Sequence, residues 1–518
     1  MRFPTRPRTL AILLGAGVFV VGCIISTTTR PASVAVHGPQ RRVSTPLKAH
    51  MLDGSVVVFP SGATISSTKA VGAGQRYDAT RSAVQPVTTV VLDSVLGFET
   101  YERQVNPGRT LVYGTASLAV DVVAVALLSV AIFGSCPTIY ADSAGTQVLQ
   151  AESFSNSIAP LLARRDLDRL IAVADANGIV RLDVRNEALE THYIDHLELV
   201  EYRHRADETA LPAARGGVIA VSGIFAPQSA RDGAGRDVTT AIAADDDLVF
   251  STDSGYLSRA IDGGPVEDHI DVTVPRSAVG DTLALVLRVR ASLLSTTVLY
   301  DYMLGRPGPV ALEWMGKDLE RITTLAKLAT WYGDNFGLHV SVRDGAEWKP
   351  VARMLNFGPA AWRSIAVVVP PLGIDSVRMR LSFLADEYRI DRIGVARSAR
   401  RLDQRVIPIT RAYDAHNGQR PDIREALRRA DSRDFSTQPG DRFFAEFDVG
   451  QAPLGTRTFM VGSQGYYTEW VRASWMKQAT DSVPFNPSRT SARDVLRTWR
   501  AAKDTLEQRF FVRRVPVV

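Results

Sequence analysis

Short apolar runs with a two-residue period, bounded by glycine and proline, recur along the chain and constrain its fold more than any other feature. Val180, Leu182 and Val184 alternate with Arg181, Asp183 and Arg185, and Ile270, Val272 and Val274 alternate with Asp271 and Thr273. That period marks strands with one face buried. Residues 283–289 form a second β-like run, more continuously apolar. Between residues 51 and 101, β-branched runs at 55–59 and 87–92 are separated by turn signals at Asp53-Gly54 and Pro60-Ser61-Gly62. Further strands are expected near 193–202, 338–342, 364–369, 377–381, 390–395, 443–449, 458–461 and 466–471. A succession of such strands predicts a mainly β chain with some α, built as several β-sandwich modules.

Helical spacing appears in a few places. A short helix is expected over 158–172, and another near 423–429. Leu312, Met315, Leu319, Ile322, Ala326 and Ala329 form one stripe on a predicted helix over 309–332. Ser491-Ala492-Arg493-Asp494 approximates a capping box, after which Val495, Trp499, Ala502, Leu506 and Phe510 share a face. The basic residues Arg493, Arg497, Arg500 and Lys503 lie on the other faces and read as a solvated surface. At 518 residues the chain has room for about three domains of about 100–200 residues. Its 45% apolar and 22% charged residues exclude collagen-like, coiled-coil and wholly disordered classes. A mean hydropathy of -0.01 argues against a multi-span membrane protein. Lys and Arg number 60 against 55 for Asp and Glu, a spread-out excess of +5 that gives no reason to expect nucleic acid.

The amino terminus has the layout of an export signal. Arg2, Arg6 and Arg8 precede an apolar run from Leu10 to Val21, which is shorter than the ~20 residues of a comfortable span. It ends in Val20-Val21-Gly22-Cys23. This resembles the lipobox of bacterial lipoprotein precursors, with Val20 in place of the usual leucine. The resemblance implies cleavage before Cys23, a diacylglycerol on its thiol and an acylated new amino group. Residues 23–45, polar and proline-containing beyond Ile24 and Ile25, read as a tether. A second greasy segment covers 111–134. Its part from Thr115 to Gly134 carries only Asp121 as a charge and is long enough to span or embed as a helix. Its topology is in conflict. Export of Cys23 would put the residues after the segment inside, whereas Arg103 and Arg109 before it, with no Lys or Arg after it until Arg164, would keep them out. Once Cys23 is lipidated only Cys136 remains, and it reads as a structural cysteine.

Two further resemblances concern the body. The stretch from Arg378-Met379-Arg380-Leu381 to Ile390-Asp391-Arg392-Ile393 is similar to the closing strands of jelly-roll modules of the galactose-binding type. Ser135-Cys136-Pro137-Thr138-Ile139-Tyr140, Asn186-Glu187-Ala188-Leu189-Glu190-Thr191, the Arg231 to Asp237 run and Gly465-Tyr466-Tyr467-Thr468-Glu469-Trp470 resemble an uncharacterised family of secreted bacterial β-rich proteins, from about residue 135 to the end. The resemblance supplies no catalytic residues. The expected fold class is therefore mainly β with some α: a multi-module, jelly-roll-like β-sandwich with an N-terminal signal and one hydrophobic helix. The modules are divided as a signal over 1–22, the tether over 23–45, a small β module over 46–110, the hydrophobic helix over 111–134, a β-rich domain over 135–300, a helix with a jelly-roll-like domain over 301–410, and a C-terminal β module with a terminal helix over 411–518.

Chemistry-bearing patterns are few. His192 and His196, with Glu190 and Asp195 beside them, are four apart and would share a face of a regular strand, the donor set zinc favours. An ordinary strand edge is the competing account. Asp245-Asp246-Asp247 with Asp253 could offer oxygens to calcium, without EF-hand spacing. Ser66-Ser67-Thr68-Lys69 matches Ser-x-x-Lys by letter, in a β context unlike the helix that motif opens. Tyr466, Tyr467 and Trp470, with Trp475, could stack on a sugar, as could Trp331, Tyr332 and Phe336; core packing competes. No cofactor is implied. The expectation is a membrane-anchored lipoprotein of the bacterial cell envelope with a binding or structural role. It would bind lipid through Cys23 and the segment from Thr115 to Gly134, together with an envelope protein or glycan. The alternative is an envelope hydrolase acting on glycan or peptide.

Overall fold

The strand Leu283–Ala291, apolar except for Arg288 and Arg290, packs into a core on each face. Leu283, Leu285, Leu287 and Val289 point into one core, whereas Ala284 and Val286 point into a second on the opposite face. Its neighbours are Arg363–Val369 and Tyr388–Arg401, both antiparallel. The computed structural model describes residues 27–105 and 137–510, except 54, 79–83, 144–145, 247, 276–282, 356, 370–375, 432, 453–454, 471, 473–474 and 476–482. The expected signal, Cys23, the segment from Thr115 to Gly134 and Cys136 lie outside the described residues. Among those residues the chain is mostly β, in five sheets, as its alternation predicts.

An eight-stranded sheet is formed by the first part of the chain. It runs Thr27–Val34, Val95–Val105, Leu47–Met51, Val56–Phe59, Lys69–Tyr77, Ala63–Ile65 and Arg41–Val43, with Val84–Val91 also paired to Lys69–Tyr77. The stretch read as a tether therefore contributes two strands. Thr27–Val34 pairs over its full length with Val95–Val105. Its threonines favour extended backbone, and Pro31 falls on an edge strand, where a sheet accommodates proline.

The remaining sheets form two sandwiches. One holds Thr146–Glu152, Thr138–Ser143, Ile179–Arg185, Arg442–Asp448 and Arg411–Asp414 against Arg164–Arg169, Arg457–Glu469, Glu190–Arg203 and Gln404–Pro408. Leu182, Leu197, Leu199, Phe443 and Phe459 share the core between them. The second holds Thr209–Pro212, Val218–Phe225, Tyr388–Arg401, Leu283–Ala291 and Arg363–Val369 against Ser229–Asp232, Glu267–Pro275, Ser376–Leu384, Leu338–Asp344 and Glu347–Met354. Ile270, Val272 and Val274 face its core as their alternation predicts. This pairing crosses the boundaries expected at residues 300/301 and 410/411. The second sandwich, within 209–401, is inserted into the first, which is made from 138–203 and 404–469. The insert leaves after Glu190–Arg203 and returns along Gln404–Pro408, which pairs with that same strand. Insertions are accommodated where entry and exit lie side by side.

Two helical expectations change. The predicted helix over 158–172 is a single 3-10 turn at Pro160–Leu162 followed by the strand Arg164–Arg169. Asp166 and Asp168 face inward there, so the strand lacks the apolar alternation that would reveal it. The helix over 309–332 is interrupted. Val310–Glu313 runs into a π-helical stretch, Trp314–Asp318, and a turn precedes Ile322–Asn335. The break resets the phase: Leu325, Leu328, Trp331 and Tyr332 are buried, whereas Ile322 is 53% exposed. Leu312 lies among residues whose side chains are not described.

The terminal helix Ala492–Phe510 forms where the capping box places it. The Ser491 hydroxyl donates to Asp494 Oδ2 at 2.6 Å, and the Asp494 N–H donates back to Ser491 Oγ at 3.2 Å. Val495, Leu496 and Trp499 are fully buried. Two of its basic residues are not merely solvated. Arg493 donates to the Gly264 carbonyl at 2.9 Å, and Lys503 pairs with buried Asp386 at 2.8 Å. Asp386, at φ +63°, also accepts Trp499 Nε1–H at 2.8 Å and Arg389 at 2.8 Å. Truncating Trp499 to Ala should cost about 3–5 kcal/mol by leaving a cavity and removing one of the two donors to Asp386 Oδ2. Arg497→Ala, which removes an exposed pair with Asp494, should change stability by less than about 0.5 kcal/mol. Guanidinium unfolding curves of the two variants check this ordering.

Candidate functional site

A group of buried polar side chains lies where the N-terminal sheet meets the first sandwich. In Leu47–Met51 all five residues are buried, because the strand has work on both faces. Leu47, Ala49 and Met51 fill the sheet's own core, and Lys48 and His50 turn the other way. Val57 and Phe59 likewise face that core, whereas Val56 and Val58 join Tyr77, Trp470 and Leu189 in a separate seam. At this seam the Lys48 ammonium donates to Thr191 Oγ1 at 3.0 Å. It also stands 4.1 Å from the Trp470 ring centroid and 3.9 Å from Glu99 Oε1. Glu99 holds His50 Nε2 at 3.0 Å, and Tyr77 packs edge-on to Trp470 with centroids 5.5 Å apart. The Thr191 hydroxyl takes a second donor, Trp470 Nε1–H at 2.9 Å, and donates to Gln438 Oε1 at 3.1 Å. A buried ammonium is tolerable only when held this way, by a carboxylate, a ring face and a hydroxyl acceptor.

The aromatic residues singled out in the sequence are part of this interior. Tyr466, Tyr467 and Trp470 are all 0% exposed, which corrects the expectation of a sugar-stacking surface there. Tyr466 stacks on Tyr193 with centroids 4.7 Å apart, and the Tyr467 hydroxyl donates to the Ser155 carbonyl at 3.1 Å. Trp331, Tyr332 and Phe336 are buried too; Tyr332 stacks on Phe336, and Trp331 Nε1–H donates to the Thr490 carbonyl at 2.8 Å.

His192 and His196 do not converge. A β-bulge between Ile194 and His196 shifts the register against Arg457–Glu469, so the four-residue spacing no longer keeps one face. Before the bulge His192 shares the side of Ile194, which packs with Leu197 and Leu199; after it His196 shares the side of Glu198. His192 is fully buried with Nδ1 3.1 Å from Thr437 Oγ1, and burial drives its pKa down to about 3. His196 Nδ1–H donates to the Leu427 carbonyl at 2.9 Å, and its Nε2 lies 3.2 Å from Glu198 Oε2. Asp195, the bulged residue, accepts Gln464 Nε2–H and the Asp431 N–H. Among the described residues no cluster of three His, Cys, Asp or Glu has metal-binding geometry. The acidic run near 245 is dispersed: Asp245 pairs with Arg288, Asp246 caps the Leu248 N–H, and Asp253 caps the helix Ser254–Ile261. Asp247 lies outside the described residues. Ser66 and Lys69 close a turn between strands, with their backbones hydrogen-bonded at 2.8 Å.

A second polar cluster was not visible in the sequence. Arg363 reaches from the second sandwich to Asp166 at 2.9 Å and Asp168 at 2.7 Å, and Glu152 accepts the Ala360 and Ala361 N–H groups at 2.8 and 3.3 Å. Burial disfavours charge on both aspartates. For Asp166 the Arg363 and Arg164 cations outweigh it and hold the carboxyl below its usual range. Asp168 also faces Asp166 and Glu152 and is pushed up to about 8. Paired carboxylates with opposed shifts can serve acid–base catalysis, but these are 5% and 4% exposed, sealed between the sandwiches. They brace the insert against its host. An open groove of about 330 Å³ lies elsewhere, lined by Val173, Ala174, Asp175, Gln451, Arg457 and Phe459. Its polar groups serve local loops: Asp175 accepts the Asn177 and Ile179 N–H groups, and Arg457 donates to the Gly450 carbonyl.

No family model matches the chain, and no curated protein matches it. Among solved structures it is similar at 10% identity to the cycloalternan-forming enzyme from Listeria monocytogenes in complex with pentasaccharide substrate. The match covers 69% of this chain and 29% of that enzyme, with a TM-score of 0.16. At that score the two do not share an overall arrangement, and no functional argument follows.

Two outcomes are expected. Thr191→Val leaves the Lys48 ammonium and the Trp470 N–H short of an acceptor, at a cost of at least about 2 kcal/mol, while Thr191→Ser keeps the hydroxyl and most of the stability. Thermal unfolding of the pair checks this; equal losses would contradict it. His192 stays neutral in the folded chain well below the ordinary imidazole value of 6.5, whereas in the unfolded chain it binds a proton. Its contribution is therefore present above pH 6.5 and is lost as pH falls from 6.5 towards 3. His192→Gln should flatten that part of the stability profile, and proton NMR should find the wild-type imidazole neutral at about pH 5.

Proposed function

We propose that the chain is a cell-envelope lipoprotein with a binding or structural role. Lipid on Cys23 would anchor a rigid β-rich body to a bacterial membrane. One observation carries the reading: an arginine-bearing start and an apolar run lead into Val20-Val21-Gly22-Cys23, only four residues before the first strand begins at Thr27. Four residues reach at most about 14 Å, so a lipid at Cys23 would hold the sheet close to the bilayer. Two or three acyl chains, at about 0.8 kcal/mol per buried CH₂, suffice for stable attachment. The partners are membrane lipid and an envelope protein or glycan met by the exposed surface of the two sandwiches. Four of the buried acids, Glu152, Asp166, Asp168 and Asp386, brace strands and the terminal helix, which supports a framework role.

Cys23→Ala should abolish incorporation of an alkyne-tagged palmitate and release the chain from the membrane fraction, or leave it as an unprocessed precursor. Unchanged labelling of the variant would contradict the proposal. So would a wild-type chain that takes up no label.

A further inference from the structure

The described chain enters and leaves the N-terminal sheet at one place. Thr27 pairs with Val105 at the end of the antiparallel ladder between Thr27–Val34 and Val95–Val105. The chain coming from Cys23 enters the sheet, and the chain going on to 111–134 leaves it, at the same end of the same strand pair. On the return side, the Pro137 carbonyl accepts the Ser153 N–H, and the Ser157 carbonyl accepts the Tyr467 N–H on the strand Arg457–Glu469. That strand leads directly to Trp470, where the N-terminal sheet is docked.

A single crossing by 111–134 would place residues 27–105 and 138–510 in opposite aqueous compartments, separated by about 30 Å of hydrocarbon. The two parts are in buried contact. Lys48 Nζ lies 3.0 Å from Thr191 Oγ1 and 4.1 Å from the Trp470 ring centroid, and Tyr77 packs against the same indole. Lys48, Glu99 and Trp470 are at most 1% exposed. Neither the sheet nor the sandwich could keep these contacts across a bilayer.

We infer that both flanks of 111–134 lie on one side of the membrane, the side bearing Cys23, and that the Thr27/Val105 end of the first strand pair is the pole facing lipid. The inference rests on the lipoprotein reading for the choice of side, but not for the two flanks sharing one. It removes the conflict in the charge pattern, because a segment that does not cross once has no inside and outside flank.

The test uses the full chain with Cys23 retained and Cys136→Ser, carrying a single reporter at an exposed position: Ser67→Cys in the N-terminal sheet or Ala206→Cys in the body. Asp207→Cys is a second choice for the body if Ala206→Cys misfolds. Spheroplasts or protoplasts are treated with a membrane-impermeant maleimide before and after lysis, and palmitate incorporation is read in the same samples. The expected result is palmitate on the chain and equal labelling of both reporters before lysis. One reporter labelled before lysis and the other only after it, with palmitate present, overturns this inference and leaves the lipoprotein reading standing. Equal labelling without palmitate overturns the lipoprotein reading and leaves the shared side standing. Both reporters silent until lysis keeps the shared side and overturns export.

Discussion

The buried ammonium of Lys48 ties the N-terminal sheet, within residues 27–105, to the first sandwich. A lysine taken out of water is costly unless charge and hydrogen bonds replace what the water supplied. Here Glu99, the face of Trp470 and the Thr191 hydroxyl do so, and each comes from a different strand or its end. The cost of leaving Lys48 without them makes the seam specific: a sheet docked one residue out of register would bury the same charge against the wrong groups. Because the seam joins residues on both sides of 111–134, it also limits how that segment can meet a membrane.

The same device recurs at the other junctions. Arg363 between Asp166 and Asp168 fixes the inserted sandwich to its host, and Asp386, holding Trp499, Lys503 and Arg389, fixes the terminal helix. Within each sandwich the core is apolar, and between units buried charge pairs stand beside further apolar packing, as at Trp470 and at Val495, Leu496 and Trp499. Such pairs add little net stability compared with apolar packing, but losing one partner is expensive. They select one arrangement of units over others.

Much of the fold was legible because burial on one face imposes a period. Val180, Leu182 and Val184, Ile270, Val272 and Val274, and the doubly buried Leu283–Ala291 all read correctly, as did the capped helix after Ser491. Misreadings share one cause: polar residues that face inward look solvated. Asp166 and Asp168 hid a strand, and Lys503, which read as solvated, pairs with buried Asp386. Thr27–Val34 looked like a tether because its partner, Val95–Val105, lies some seventy residues away. The four-residue spacing of His192 and His196 suggested a shared face, and the bulge at Asp195 removed it. A bulge leaves no periodic trace. The insertion was hidden for a related reason, since strand partners over two hundred residues apart, such as Tyr202 and Gln404, leave no local signal.

For both flanks of 111–134 to share a side, the N-terminal sheet must be docked against the first sandwich in the membrane-bound protein. A photoreactive benzoylphenylalanine in place of Tyr77, irradiated in intact cells, reports that contact directly. The expected product is an intramolecular adduct between the peptide carrying position 77 and the peptide carrying Trp470, identified by mass spectrometry. Adducts to lipid or to other proteins, with none to the Trp470 peptide, would contradict the docked arrangement.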